Sequence, residues 1–232
     1  SILMPGVVHM RHTHLPEHKF VKGQPETGKE LADDLDRIAL NFGSENIAAC
    51  IVEPISGSTG TLVPPKGYLK RLREICNKHD ILLIFDEVIT GWGRTGSSFA
   101  AKEYGVTPDL MTMAKATTNG IVPMGVVAVK EEIYDTIVNA SPDGVIELFH
   151  GYTYSGIPVA VAAALAVQDI FEKEDIFKRA KNLSSYFLDG LFSLKDIDCI
   201  ENIRGYGLMG GIDIKKTDRP GKAGFLTYKK CY

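Results

Sequence analysis

The sequence predicts an α/β fold with a mostly parallel central sheet, followed by the start of a small α+β domain. Three observations carry this. Runs of strand length at 47–52, 81–85 and 109–114 are dominated by apolar residues and lead to Glu53, Asp86 and Lys115. Continuous runs of this kind mark strands buried on both faces of a parallel sheet. A segment of helical period, 68–79, separates the first two runs, as a strand–helix–strand crossover requires. After residue 172 the pattern changes to a long amphipathic helix and two adjacent strand-like runs, the α+β arrangement. The boundary is therefore set at 172/173, with 1–172 part of a large domain and 173–232 an incomplete second one.

Taken in order, residues 1–27 carry prolines, glycines and His9, His12, His14 and His18 but no hydrophobic period. They read as an extended connection. No cysteine or carboxylate joins the histidines at ligand spacing, so a solvated loop is expected there and no metal site. From Gly28 to Asn41, Leu31, Leu35, Ile38 and Ala39 recur on one side of a helix that should cover one sheet face. The strand 47–52 ends at Glu53-Pro54, followed by the small-residue loop 56–60. Glu53 either joins a site or satisfies backbone donors in its turn. Pro64-Pro65-Lys66-Gly67 precedes the helix Tyr68–His79, with Leu69, Leu72, Ile75 and Cys76 at helical spacing.

The strand 81–85 delivers Asp86 to the carboxyl end of the sheet, where such sheets bind ligands. A partly desolvated carboxylate there needs a cation or donors to face it. Lys115 follows Asp86 by 29 residues, which suits strand, loop, helix and strand and places both groups on one rim. Lys102 and Lys130 follow no buried strand and are expected to be silent. Val126–Val129 reads as a strand and Glu131–Asn139 as a helix. The polar loop His150–Pro158 leads into an alanine-rich helix, Val159 to about Phe171, and its hydroxyls suit a phosphate or a simple turn. Beyond it come a helix, Ile176–Leu194, and strands at Ile197–Ile203 and Leu208–Ile214. Arg204 lies between them and is read as structural.

Composition sets outer limits. With 232 residues and 44% hydrophobic content, the chain can bury a sizeable core. A net charge of −3 gives no footprint for nucleic acid, and no run has the length of a membrane span. Cys50, Cys76, Cys199 and Cys231 are far apart and two fall in element cores, which points to reduced thiols and a cytoplasmic setting. No targeting signal is visible, but the chain starts at Ser1 in mid-sequence and stops at Tyr232 within a helical pattern, so an internal fragment is expected and the absence of a signal says little.

The run Phe85-Asp86-Glu87-Val88-Ile89-Thr90-Gly91-Trp92-Gly93-Arg94-Thr95-Gly96 and the segment Met113–Gly120 resemble the signatures of class III aminotransferases, the omega-amino acid branch of the fold type I pyridoxal phosphate enzymes. The resemblance implies that Lys115 holds pyridoxal 5'-phosphate as a Schiff base and that Asp86 keeps the pyridine nitrogen protonated. Val88, two residues on from Asp86 and so on the same side of the strand, would then pack against a ring face, and the resemblance implies that Glu53 belongs to the shell behind the cofactor. His150-Gly151-Tyr152-Thr153 is similar to the family's phosphate motif, so Thr153 is expected to reach the cofactor of a neighbouring subunit in a homodimer or dimer of dimers with shared sites. Relatives acting on ornithine or 4-aminobutyrate carry a glutamate where this chain has Ser58, and the family usually has histidine where it has Ile157. The first departure counts against ornithine and 4-aminobutyrate and towards the pyruvate-using branch, so the resemblance implies an omega-amino acid or amine as donor and pyruvate or a similar 2-oxo acid as acceptor, with another class III type (4-aminobutyrate, ornithine or diamine) as the alternative. The clamp arginine of the family comes beyond Tyr232.

Three other readings compete. The glycine patterns at 91–96 and 205–210 match a dinucleotide fingerprint formally, but neither opens a helix after a strand with an acid about twenty residues on. The acidic strand end at Asp86-Glu87 resembles that of a nucleoside triphosphatase, yet no phosphate loop accompanies it. A non-catalytic scaffold on the same fold needs neither Asp86 nor Lys115.

Overall fold

The computed structural model describes residues 4–216, 219 and 221–231. Four strands form the central sheet, β1 (Ala49–Val52), β2 (Leu82–Asp86), β3 (Leu110–Met113) and β4 (Val126–Val129), in that spatial order. The pairs β1–β2 and β2–β3 are parallel, and β4 runs antiparallel to β3. The mostly parallel sheet expected from the apolar runs is present. The reversal at β4 follows from its short connection, which holds only a 3₁₀ turn, Lys115–Thr117, whereas a parallel return needs a longer crossover.

Helices α1 (Asp33–Phe42) and α2 (Tyr68–His79) cover the same face of the sheet. Their apolar stripes, with Leu31 of the preceding 3₁₀ turn, meet Cys50, Leu83 and Phe85 in one buried cluster. Helix α2 ends where Asp80 takes a left-handed φ of 55° and Ile81 N–H donates to the carbonyl of Cys76. The opposite face departs from expectation. Register places Ile51, Ile84, Leu110 and Val129 there, and Ile51 is 64% exposed. Among the described residues the sheet is covered on one side only, because both early helices pack on the Leu83 side.

At the amino end of β3, buried Asp109 ties three elements. Its Oδ2 accepts from Leu83 N–H at 2.7 Å and from Arg73 Nη1 at 2.6 Å, and its Oδ1 lies 2.7 Å from Lys130 Nζ. Burial alone would raise its pKa, but the Leu83 amide and the cations Lys130 and Arg73 outweigh it and hold the carboxyl below its ordinary 3.8. A depressed folded-state pKa means stability that is present above pH 3.8 and is lost as pH falls through the lower folded value. Asp109→Asn should cost the full-length protein about 1.5–3 kcal/mol at neutral pH by denaturant titration, with the deficit shrinking in acid. A deficit independent of pH would show that charge is not what Asp109 contributes. Lys130 is therefore not the silent lysine that the sequence suggests.

The chain continues through α3 (Ala100–Tyr104), which precedes β3, and then α4 (Glu131–Ala140), α5 (Pro158–Lys173) and α6 (Ile176–Phe192). Strands β5 (Ile200–Tyr206) and β6 (Met209–Ile214) form an antiparallel ribbon, followed by α7 (Lys222–Cys231). Tyr232, where the sequence expects a helix to be cut, lies outside the described residues. The ribbon packs on residues assigned to the first region. Tyr206 donates its hydroxyl hydrogen to Glu103 at 2.7 Å, and Leu208 N–H donates to Arg94 O at 2.9 Å. Arg204 is buried; its Nε donates to Gly60 O at 2.9 Å and its two Nη groups grip Asp213. Buried and bonded through all three nitrogens to Gly60 and Asp213, Arg204 has the structural placement read from the sequence.

The amino-terminal stretch closes on the same ribbon. Phe20 N–H donates to Asn202 Oδ1 at 2.7 Å and Gly23 N–H to Gly205 O at 2.9 Å. His18 corrects the solvated-loop expectation. It is buried, its Nδ1 accepts from Leu15 N–H, and its ring packs against Gly28, because the 3₁₀ turn Pro16–His18 points it inward.

Candidate active site

Asp86 ends β2 opposite Thr112 of β3, and the next amide, Glu87 N–H, donates to Thr112 O at 2.9 Å. The carboxylate is half-buried. Its Oδ1 accepts from Val88 N–H at 3.0 Å, and among the described residues Oδ2 has no partner. A half-desolvated carboxylate with an unused oxygen is suited to a cationic donor. The bond to Val88 also corrects the strand argument for that residue. The strand stops at Asp86 and 88–91 form a turn, so Val88 is placed by this turn and not by strand alternation. Glu53 leaves β1 just after Val52, the partner of Phe85, and its Oε2 accepts from Gly57 N–H at 2.9 Å. That is the backbone-satisfying role, the first of the two left open for it to be visible.

Lys115 leaves β3 on the same rim, three residues past Thr112. It is exposed, and among the described residues its amine has no hydrogen-bond or ion-pair partner. Its φ is 47°, in the left-handed region that a side chain with a Cβ pays for in strain, on the order of 1–2 kcal/mol. The turn is held by Thr117 N–H on Ala114 O and by Gly120 N–H on Lys115 O, at 3.0 and 3.1 Å. Strain at a partner-free amine is a sign of function.

Thr153 lies in an exposed loop. It lines an open cleft of about 680 Å³ together with Ala114, Met124 and Ile157. Thr153 thus shares a cleft with Ala114, the residue before Lys115, while Lys115, Asp86, Val88 and Glu53 do not line it. Within the loop Tyr152 N–H donates to His150 Nδ1, and the two rings stand 4.6 Å apart.

The family model for aminotransferase class-III matches residues 3–229. The chain belongs to the class III aminotransferases. It is 54% identical over 220 residues to an omega-aminotransferase of Caulobacter vibrioides, covering 94% of this chain and 49% of that protein. It is 48% identical to a beta-alanine–pyruvate aminotransferase of Pseudomonas aeruginosa, covering 97% and 52% of the two chains. Among solved structures, the (S)-enantioselective omega-transaminase of Thermomicrobium roseum superposes with a TM-score of 0.76 at 42% identity, over 81% of this chain and 41% of that one. The chain spans about half the length of the curated relatives it matches.

In this class III chain one buried carboxylate escaped the sequence reading. Glu87 is fully buried, and its oxygens accept from Thr90 Oγ1 and from the N–H groups of Ala100 and Ala101, at 2.7–2.8 Å. Burial raises its pKa against the pull of these three donors. Glu87 thereby fixes the glycine-rich turn to the start of α3 and keeps Asp86 at its post. Its only sequence sign is an acid beside another acid, with Thr90 three residues on. The turn itself faces protein: a Cβ at Gly93 would meet the Phe177 ring at 2.9 Å, and one at Gly96 would meet Lys181 of α6 at 3.0 Å. These glycines admit a helix, so the fingerprint match at 91–96 is accounted for without a dinucleotide.

Proposed function

We propose that the full-length protein is a pyridoxal phosphate-dependent transaminase. It moves an amino group from an omega-amino acid or amine of beta-alanine type to pyruvate or a similar 2-oxo acid. The observation that carries this is the pairing, on one sheet rim, of a half-buried carboxylate with a free oxygen and a strained, partner-free lysine. Both are of the type the cofactor requires, one for a protonated ring nitrogen and one for a carbonyl carbon. The names of the relatives from Caulobacter vibrioides and Pseudomonas aeruginosa support the substrate class.

When bound, the cofactor supplies an electron sink for a carbon that loses a proton. The chain's own residues do the rest. Asp86 would hold a proton on the ring nitrogen through its charge. Lys115 would be the point of covalent attachment, and its amine would also be the group that carries a proton between two carbons. Val88 would pack against the ring, Glu53 would shape the loop behind it through its bond to Gly57, and Thr153 would donate to the phosphate. Ser58, where other branches carry a glutamate, supports pyruvate as acceptor. The test is alanine formation from pyruvate by the full-length protein. Beta-alanine should be a competent donor; turnover only with 4-aminobutyrate or ornithine and 2-oxoglutarate would shift the assignment to those branches.

We infer further that Thr153 serves the neighbouring subunit of a homodimer. Phe149 is 87% and Tyr154 84% exposed, and aromatic residues so bare beside a polar hydroxyl suit a surface that a second copy covers. Thr153→Ala should weaken cofactor retention roughly tenfold or more, with little change in rate at saturating cofactor, since one charge-assisted hydrogen bond is lost. Mixing Thr153→Ala with Lys115→Ala chains reads the geometry. If the threonine acts across the interface, the site with the intact lysine receives an intact threonine and tight retention returns. No recovery, with subunit exchange confirmed, would assign Thr153 to its own subunit.

A further inference from the structure

Among the residues outside the cofactor shell, we propose that Trp92 is a positioning residue that holds the Lys115 turn in its left-handed setting through its indole N–H. This rests on the proposed role of Lys115. Trp92 Nε1 donates to Thr117 Oγ1 at 3.0 Å. Thr117 Oγ1 in turn donates to Ala114 O at 3.1 Å, and Thr117 N–H reaches the same carbonyl at 3.0 Å. The chain of donors runs from indole to hydroxyl to the carbonyl that immediately precedes Lys115. Bonds linked in this way polarise one another, and Thr117 is 3% exposed, so water does not compete.

The indole is itself held rigidly. Its ring lies 4.8 Å from Phe99 and 5.9 Å from Phe171 of α5, and Phe171 rests 5.2 Å from Phe177 of α6. Its backbone N–H donates to Ser98 O at 2.6 Å, and its own φ is 63°. Two left-handed residues with side chains, Trp92 after Asp86 and Lys115 after β3, are thus linked through Thr117, whose hydroxyl takes the indole bond and donates to the carbonyl before Lys115. The penalty of a left-handed residue and the net worth of one buried hydrogen bond are of the same order, so this bond is large enough to decide which way the turn sits. If the turn relaxed to the ordinary region, the direction of the Lys115 side chain from the rim would change. Phenylalanine at 92 would keep the ring stack and lose the donor.

The test uses the full-length protein free of cofactor and reads amide hydrogen exchange. Trp92→Phe and Thr117→Val should each speed exchange at Thr117 and Gly120 roughly three- to tenfold, with β2 amides unchanged. The double variant should be no faster than Thr117→Val alone, and Thr117→Ser should behave as the parent. With cofactor added, attachment to Lys115 should slow in Trp92→Phe by a similar factor. Unchanged exchange at both amides in Trp92→Phe, or a rise spread equally over the core, would overturn the proposal. If Trp92→Phe does not fold, the reciprocal readout decides: Thr117→Val must speed exchange of the Trp92 indole proton and Thr117→Ser must not. Because no cofactor is needed for the exchange experiment, its failure is distinct from failure of Lys115 to attach the cofactor at all.

Discussion

If Lys115 attaches the cofactor as proposed, replacing it with alanine should abolish turnover of the full-length protein and remove the borohydride-reducible link to the cofactor. The expected loss is on the order of 10⁴-fold or more, since one amine both attaches the cofactor and moves the proton. Nothing else in the described structure is placed to substitute. Among the lysines nearby, Lys130 is paired with Asp109 at 2.7 Å on the other edge of the sheet, and Lys102 is exposed on α3. Lys102→Ala is accordingly the control, with activity and fold retained. Lys130→Ala is not, because it strips a cation from a buried carboxylate. Full activity in the Lys115→Ala protein, or a reducible link that survives in it, would end the assignment.

Asp86→Asn should lower kcat at least tenfold and weaken cofactor affinity. The amide oxygen can still accept from Val88 N–H, so the turn is preserved and the change isolates charge. A charge-assisted hydrogen bond contributes roughly 1.5–3 kcal/mol, which corresponds to about 10–150-fold in rate if it is made in the transition state. The visible spectrum of the bound cofactor should move with the loss of the ring proton. Normal rate and normal spectrum together would mean that the free oxygen of Asp86 faces some other group.

Much of this architecture can be read from residue order. The helix Tyr68–His79 ends where its spacing ends, and the three apolar runs become the three parallel-paired strands. Asp86 and Lys115 are legible because strand-end charges stand out against apolar runs. What residue order hides is three-dimensional. Ile51 and Leu83 look alike in a run, yet one is bare and the other buried, because which face the helices choose is set by packing. Val88 falls to the strand-period argument because an Asx-type bond from Asp86 turns the chain one residue early. Glu87 and the Trp92–Thr117 bond depend on partners 13 to 25 residues along the chain, and His18 is turned inward by a 3₁₀ turn that no apolar period marks.

The closure of the amino-terminal stretch on the β5–β6 ribbon has a kinetic consequence. Phe20 and Asn202 bond across a sequence separation of 182 residues. At the usual pace of synthesis, roughly 5–20 residues per second, Phe20 waits on the order of 10–40 s after it is made before its partner exists. Until then the stretch that carries Phe20 and Gly23 has no ribbon to dock on, and Arg204 is not there to hold the carbonyl of Gly60. Native pairing at this seam is therefore a late event, dominated by a long loop closure, and the folding of the nascent chain cannot be completed in order from its amino end.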